Sequence, residues 1–153
     1  MDVRSVHWTF SLRAAADRAG LEPGMSYARG VLTALVAGDG AVTEPWRDDV
    51  LLVVCELLAN ACRHTPGPTR LDFDHEGGSG RGRLTVAVTD PSPVPPRRRP
   101  LDPARANGHG LRIVERLADR WGVRAVPGGK TVWATLSLPS PRRLGPAGLG
   151  GPV

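Results

Sequence analysis

Glu56 and Asn60 stand four residues apart in the stretch Glu56-Leu57-Leu58-Ala59-Asn60-Ala61-Cys62-Arg63-His64. At 3.6 residues per turn, side chains at i and i+4 project together from one face of a helix. The same projection makes Val50, Val53, Leu57 and Ala61 the most buried stripe, with the pair at its edge. A carboxylate and a carboxamide aimed from an apolar helix toward one point are costly without partners. A shared ligand supplies partners: a carboxamide oxygen can bind a hard cation such as Mg²⁺, and a carboxylate can orient or deprotonate a hydroxyl or water. The alternative is a helix edge at which the pair caps or bonds locally.

Three further stretches carry potential chemistry. The apolar run Leu84–Thr89 ends on Asp90, where a long loop begins. Acidic residues are common in turns at strand ends, but beside such a loop Asp90 can also accept an amine hydrogen bond from a ligand. Asn107-Gly108-His109-Gly110-Leu111 leads into a short helix. Glycines there expose backbone N–H groups and the positive end of the helix dipole, which favours phosphate; they also serve simply as turn residues. No Gly-Lys-Ser/Thr follows a strand as in a Walker loop, and no βαβ unit frames a dinucleotide fingerprint. Gly128-Gly129-Lys130-Thr131-Val132-Trp133 reads as a tight turn feeding a last strand.

The elements that must position these residues follow from periodicity. Val6, Trp8, Phe10 and Leu12 alternate with polar residues over Ser5–Leu12, the period of a half-buried strand. Glu22-Pro23 opens a helix with Tyr27, Val31, Leu32 and Leu35 inward, closed by Gly38-Asp39-Gly40. Thr43 is placed to cap a second helix with Pro45 in its first turn; it runs to about His64, where Pro66-Gly67-Pro68 ends it. Thr69–His75 and Arg83–Thr89 form a hairpin with a loose glycine-rich tip, Gly77-Gly78-Ser79-Gly80. Asp90–Gly108 has no periodicity, Gly110–Asp119 is a short amphipathic helix, and Gly122–Val126 and Thr131–Leu138 close the domain. The order β-α-α-β-β-loop-α-β-β predicts an α+β two-layer sandwich, with a mixed, mostly antiparallel sheet and helices on one face. The domain is expected over 1–138, with a disordered Gly/Pro-rich tail over 139–153.

Composition narrows the function classes. The chain's 153 residues, 41% hydrophobic and 23% charged, suit one ordinary globular core. No stretch is long and apolar enough for a membrane span, and Met1-Asp2-Val3-Arg4 lacks a signal-peptide layout, so a cytoplasmic protein is expected. Cys55 and Cys62, seven apart on one helix, read as buried reduced thiols, with no second Cys/His pair to complete a metal site. The net charge of +5 invites a nucleic-acid reading. Yet the excess is scattered, and Lys130 is the only lysine among 20 basic residues. Arginine bias in an Ala-, Gly- and Pro-rich chain accounts for it, so nucleic acid is not expected as the main partner.

The order of motifs resembles the GHKL ATPases, which include DNA gyrase, histidine kinases and the MutL mismatch-repair proteins. Glu-x-x-x-Asn lies on a helix, Asp follows a strand, Gly-x-Gly opens a helix, and glycines precede Thr131 in the final strand. "ELLANACRHT" and "GGKTVWATL", in a short chain with no phosphoacceptor-histidine hairpin or transducer domain, look most like the anti-sigma-factor serine/threonine kinase branch. The resemblance implies ATP and Mg²⁺ as ligands, with Asn60 coordinating Mg²⁺ and Glu56 acting as general base toward a seryl or threonyl hydroxyl. It implies Asp90 on the adenine amino group, Gly108, His109, Gly110 and Leu111 around the phosphates, and Thr131 supporting the adenine contact. Arg63 and His64 would reach phosphate or lid, though His64 can equally be a solvated helix-end histidine. The implied partners are a sigma factor and a small anti-anti-sigma protein; a homodimer is also allowed.

One departure stands out. The first glycine box of that superfamily reads Asp-x-Gly-x-Gly, whereas here Asp90 is followed by Pro91-Ser92-Pro93-Val94-Pro95-Pro96. Ser92 and Val94 replace glycines that permit close backbone approach, and the prolines stiffen the segment. Two functions therefore follow: an anti-sigma kinase acting on an anti-anti-sigma partner, or a partner-switching regulator that does not catalyse transfer.

Overall fold

The computed structural model describes residues 4–12, 20–38, 41–77, 82–95 and 110–139. Eight elements follow in chain order: β1 (Arg4–Ser11), α1 (Leu21–Gly38), α2 (Glu44–His64), β2 (Arg70–Gly77), β3 (Arg83–Asp90), α3 (Gly110–Leu117), β4 (Arg120–Val126) and β5 (Gly129–Ser137). The strands form one sheet in the order β1-β2-β3-β5-β4. All four pairings are antiparallel, so the sheet among the described residues is uniform where a mixed one was expected. The predicted α+β sandwich is present. The outer part of the β2–β3 tip, residues 96–109 of the long loop and the tail from 140 lie outside the described residues.

Alternation along the strands makes the two faces of the sheet. Register aligns Trp8, Phe73, Val86 and Ala134 in one row, and Phe10, Leu71, Val88 and Val132 in the next. Except for the half-buried Trp8 and Phe10, these side chains are almost fully enclosed and join the core formed with the helices. Each enclosed Phe, Leu and Val side chain contributes on the order of 1.5–3 kcal/mol by leaving water. The opposite face carries Arg70, Asp72, Asp74, Thr85, Thr89, Thr131, Trp133 and Thr135, as a period of two demands.

The helix that carries the candidate pair is fixed at both ends. Thr43 caps α2 by accepting a bond from the Trp46 amide at 3.4 Å, and Pro45 sits in the first turn. At the other end the Thr65 hydroxyl donates to the Ala61 carbonyl at 2.7 Å. The predicted stripe of Val50, Val53, Leu57 and Ala61 is buried, joined by Val54 and Leu58. Trp46 Nε1 donates to the Ser137 carbonyl at 2.9 Å, tying the start of α2 to the end of β5. α1 approaches α2 closely because Gly24 has no Cβ; one there would come within 2.6 Å of Leu58 Cδ1. Among the α1 residues expected inward, Tyr27 is only half-buried. It stacks on Phe10 at 4.6 Å and donates its hydroxyl to the Thr9 carbonyl.

Cys55 and Cys62 form no disulfide among the described residues and are half-buried rather than buried as expected. Among the described residues no group of three or more His, Cys, Asp or Glu is arranged to hold a metal ion. No helix among them is long and apolar enough to cross a membrane.

Candidate functional site

α2 presents Glu56 and Asn60, both half-buried, between the enclosed Val53, Leu57 and Ala61. Among the described residues no hydrogen bond or ion pair engages either side chain. The local bonds that would account for the pair without a ligand are therefore not formed there. The Glu56 carboxylate is felt by its neighbour. Burial first, and then the negative charge of Glu56, push the Cys55 thiol above its ordinary pKa, while Arg63 opposes them.

The second centre lies where β3 ends. Asp90 is 2% exposed, and its Oδ1 accepts two bonds, from the Ser92 amide at 2.8 Å and from Lys130 Nζ at 3.0 Å. Lys130 is itself 4% exposed and donates a second bond to the Ser92 carbonyl at 3.2 Å. The Val94 amide in turn bonds Ser92 Oγ at 3.3 Å. The main chain at Ser92 thus folds back onto the Asp90–Lys130 pair, and only the Oγ bond to Val94 needs the serine that replaces a glycine of the GHKL pattern. Gly129 makes the approach possible: a Cβ there would lie 1.9 Å from the Asp90 carbonyl oxygen. The preceding Pro127-Gly128 pair, with Gly128 at φ 79°, fits a type II turn and aims β5 at that point.

Strand register decides which β5 residue joins Asp90. Asp90 pairs with Lys130 and shares the helix-side face of the sheet with Val88 and Val132. Thr131 pairs with Thr89, and their hydroxyl oxygens lie 2.8 Å apart on the opposite face. Thr131, expected beside the adenine contact, therefore points away from Asp90, and Lys130 takes that place. Counting by twos from the buried Val132 puts Lys130 inward, a signal present in the sequence but obscured by the rarity of buried lysines.

Arg63 and His64 are exposed in the last turn of α2, where cations suit the helix dipole. Leu111 is buried in α3, the helix that Gly110 opens and that packs against α2. Gly108 and His109 lie outside the described residues. The structure thus brings Asp90 and Ser92 together with Lys130, and holds Glu56 and Asn60 on the helix packed against the same sheet and against α3.

A five-stranded antiparallel sheet covered on one face by three helices, with a Glu–Asn pair on one helix and a closed aspartate at a strand end, is the arrangement of a GHKL-type ATPase sandwich. The model of the histidine kinase-like ATPase domain matches residues 18–136, and the chain belongs to that family. No curated protein matches the sequence. Domains of this family bind ATP, usually with Mg²⁺. The residues present fit those ligands. Asn60 supplies a carboxamide oxygen that is unengaged among the described residues and suited to a hard cation, and Asp90 offers a closed-off acceptor suited to an exocyclic amine.

Proposed function

We propose that this domain is an ATP-binding anti-sigma factor that phosphorylates a seryl or threonyl hydroxyl on a small anti-anti-sigma protein. The observation that carries the proposal is the half-buried Glu56–Asn60 pair, unengaged among the described residues, in a chain of a family that binds ATP. Asn60 would hold Mg²⁺, which supplies positive charge beside the phosphates. Glu56 would accept the proton of the substrate hydroxyl, a role within reach of a carboxylate flanked by apolar residues. Asp90 would accept from the adenine amine, and Leu111 with the start of α3 would bound the phosphate end. Most of the rate would come from positioning and charge.

The test is incubation with ATP radiolabelled at the γ-phosphate and the anti-anti-sigma proteins of the same organism. Wild type should label one of them, and Glu56→Gln should bind ATP without labelling any. ATP binding with no labelled partner would overturn the kinase half.

A second reading, a partner-switching regulator without transfer, is favoured by one observation. Ser92, Asp90 and Lys130 are knitted together where the GHKL pattern has mobile glycines, which stiffens the root of the loop. That reading predicts a stable partner complex with no phosphate incorporation.

A further inference from the structure

Lys130 is the only lysine of the chain, and the fold encloses it against Asp90, with side chains 5% and 2% exposed. An ammonium carries three N–H donors and no acceptor, and a carboxylate has about four acceptor positions over two oxygens. Lys130 Nζ spends two donors, on Asp90 Oδ1 and on the Ser92 carbonyl. Both donors to Asp90, Lys130 Nζ and the Ser92 amide, fall on Oδ1; among the described residues no hydrogen bond reaches Oδ2. The pair therefore keeps a remaining donor beside a remaining acceptor, which together offer a place for the edge of a ligand.

We propose that Lys130 reads the nucleotide base directly, donating its third N–H to adenine N1 while Asp90 Oδ2 accepts from the 6-amino group. The inference rests on the ATP-site reading above and adds a specificity residue to it. A hydroxyl or a water can donate or accept, but an ammonium only donates. With Asp90 and Lys130 fixed by strand register, the polarity of the pair is fixed as well. Adenine offers a donor and an acceptor in the matching order. Hypoxanthine and guanine offer O6 and N1–H in the reverse order, and so set acceptor against acceptor and donor against donor. Mismatches that leave buried polar groups unpaired discriminate strongly between ligands.

Calorimetry with ADP and 1-deaza-ADP, which replaces only N1 by C–H, tests the contact on the unaltered protein. Wild type should bind 1-deaza-ADP at least about tenfold more weakly than ADP, as befits loss of one hydrogen bond from a charged donor. IDP should bind more weakly still. Lys130→Met, checked for folding by circular dichroism, should bind ADP and 1-deaza-ADP alike. Equal wild-type affinities for the two nucleotides would overturn the inference, and so would a folded Lys130→Met that keeps the preference. If Lys130→Met does not fold, the wild-type comparison decides alone. Failure of wild type to bind either adenine nucleotide would overturn the ATP-site reading itself, and this inference with it.

Discussion

Asp90 and Lys130 face each other across the β3–β5 pairing, 3.0 Å from Oδ1 to Nζ, at the point where the core row of the sheet turns polar. Enclosure raises the cost of removing either charge alone. Lys130→Met should destabilise the domain by about 3–5 kcal/mol, because it strands a buried carboxylate. Asp90→Asn with Lys130→Met should lose clearly less than the two single losses summed. Urea denaturation of the three variants measures the cycle, and additive losses would show that the pair is not coupled.

Gly129 bears on the same centre. Replacing it with alanine puts a methyl group 1.9 Å from the Asp90 carbonyl oxygen, so β3 and β5 must separate locally. A loss of more than about 3 kcal/mol is expected, of the size caused by backbone strain and disrupted buried polar groups together. Gly30→Ala is the control, since a Cβ there meets nothing within 4 Å. Thermal unfolding of the two variants should separate them widely.

Thr131 and Lys130 are neighbours in sequence with opposite allegiances. Thr131→Val removes the bond to the Thr89 hydroxyl on the outer face and should cost about 0.5–1.5 kcal/mol. ADP affinity should stay at the wild-type level, measured by calorimetry beside the Lys130 variants. A large loss of affinity in Thr131→Val would mean that this threonine reaches the base after all.

Cys55 reports on Glu56. Burial and the Glu56 charge hold the thiol pKa above its ordinary value, so alkylation by iodoacetamide at neutral pH should be slow and should rise only at more alkaline pH. In a Cys62→Ser background, Glu56→Gln removes one raising influence, lowers the thiol pKa and should speed alkylation at a fixed pH. Arg63→Ala removes the opposing influence and should slow it. Mass spectrometry of the modified peptide gives both rates; no change in either would place those charges away from Cys55.

The architecture was legible because its signals are local. Thr43, Pro45 and the Val50–Val53–Leu57–Ala61 stripe announce α2, and alternation in Leu84–Val88 announces β3. Strand ends differ from the expected bounds by at most two residues, since pairing with a neighbour and not propensity decides where a ladder stops. Within the candidate site, Glu56, Asn60 and Asp90 could be singled out because a polar group in an apolar run is conspicuous. The inward side of Lys130 can be counted from Val132, but only the β3–β5 register shows that it stands opposite Asp90, and register is a non-local quantity. The motif places Thr131 beside the adenine contact, and a shift of one residue along a strand moves a side chain to the other face. Gly108 and His109 lie outside the described residues, so their expected place at the phosphates is carried by the motif alone.

The sheet order has a consequence for the making of the protein. Strand β5 inserts between β3 and β4, forty positions along the chain from the Asp90 it must meet. During synthesis, β1, α1, α2, β2 and β3 leave the ribosome before that lysine exists. Until it arrives, the inner edge of β3 stays unpaired and the Asp90 carboxylate remains in water. The proposed base pocket is therefore among the last parts of the molecule to be assembled, and a nascent chain halted before β5 would carry Glu56 and Asn60 with no base contact to match them.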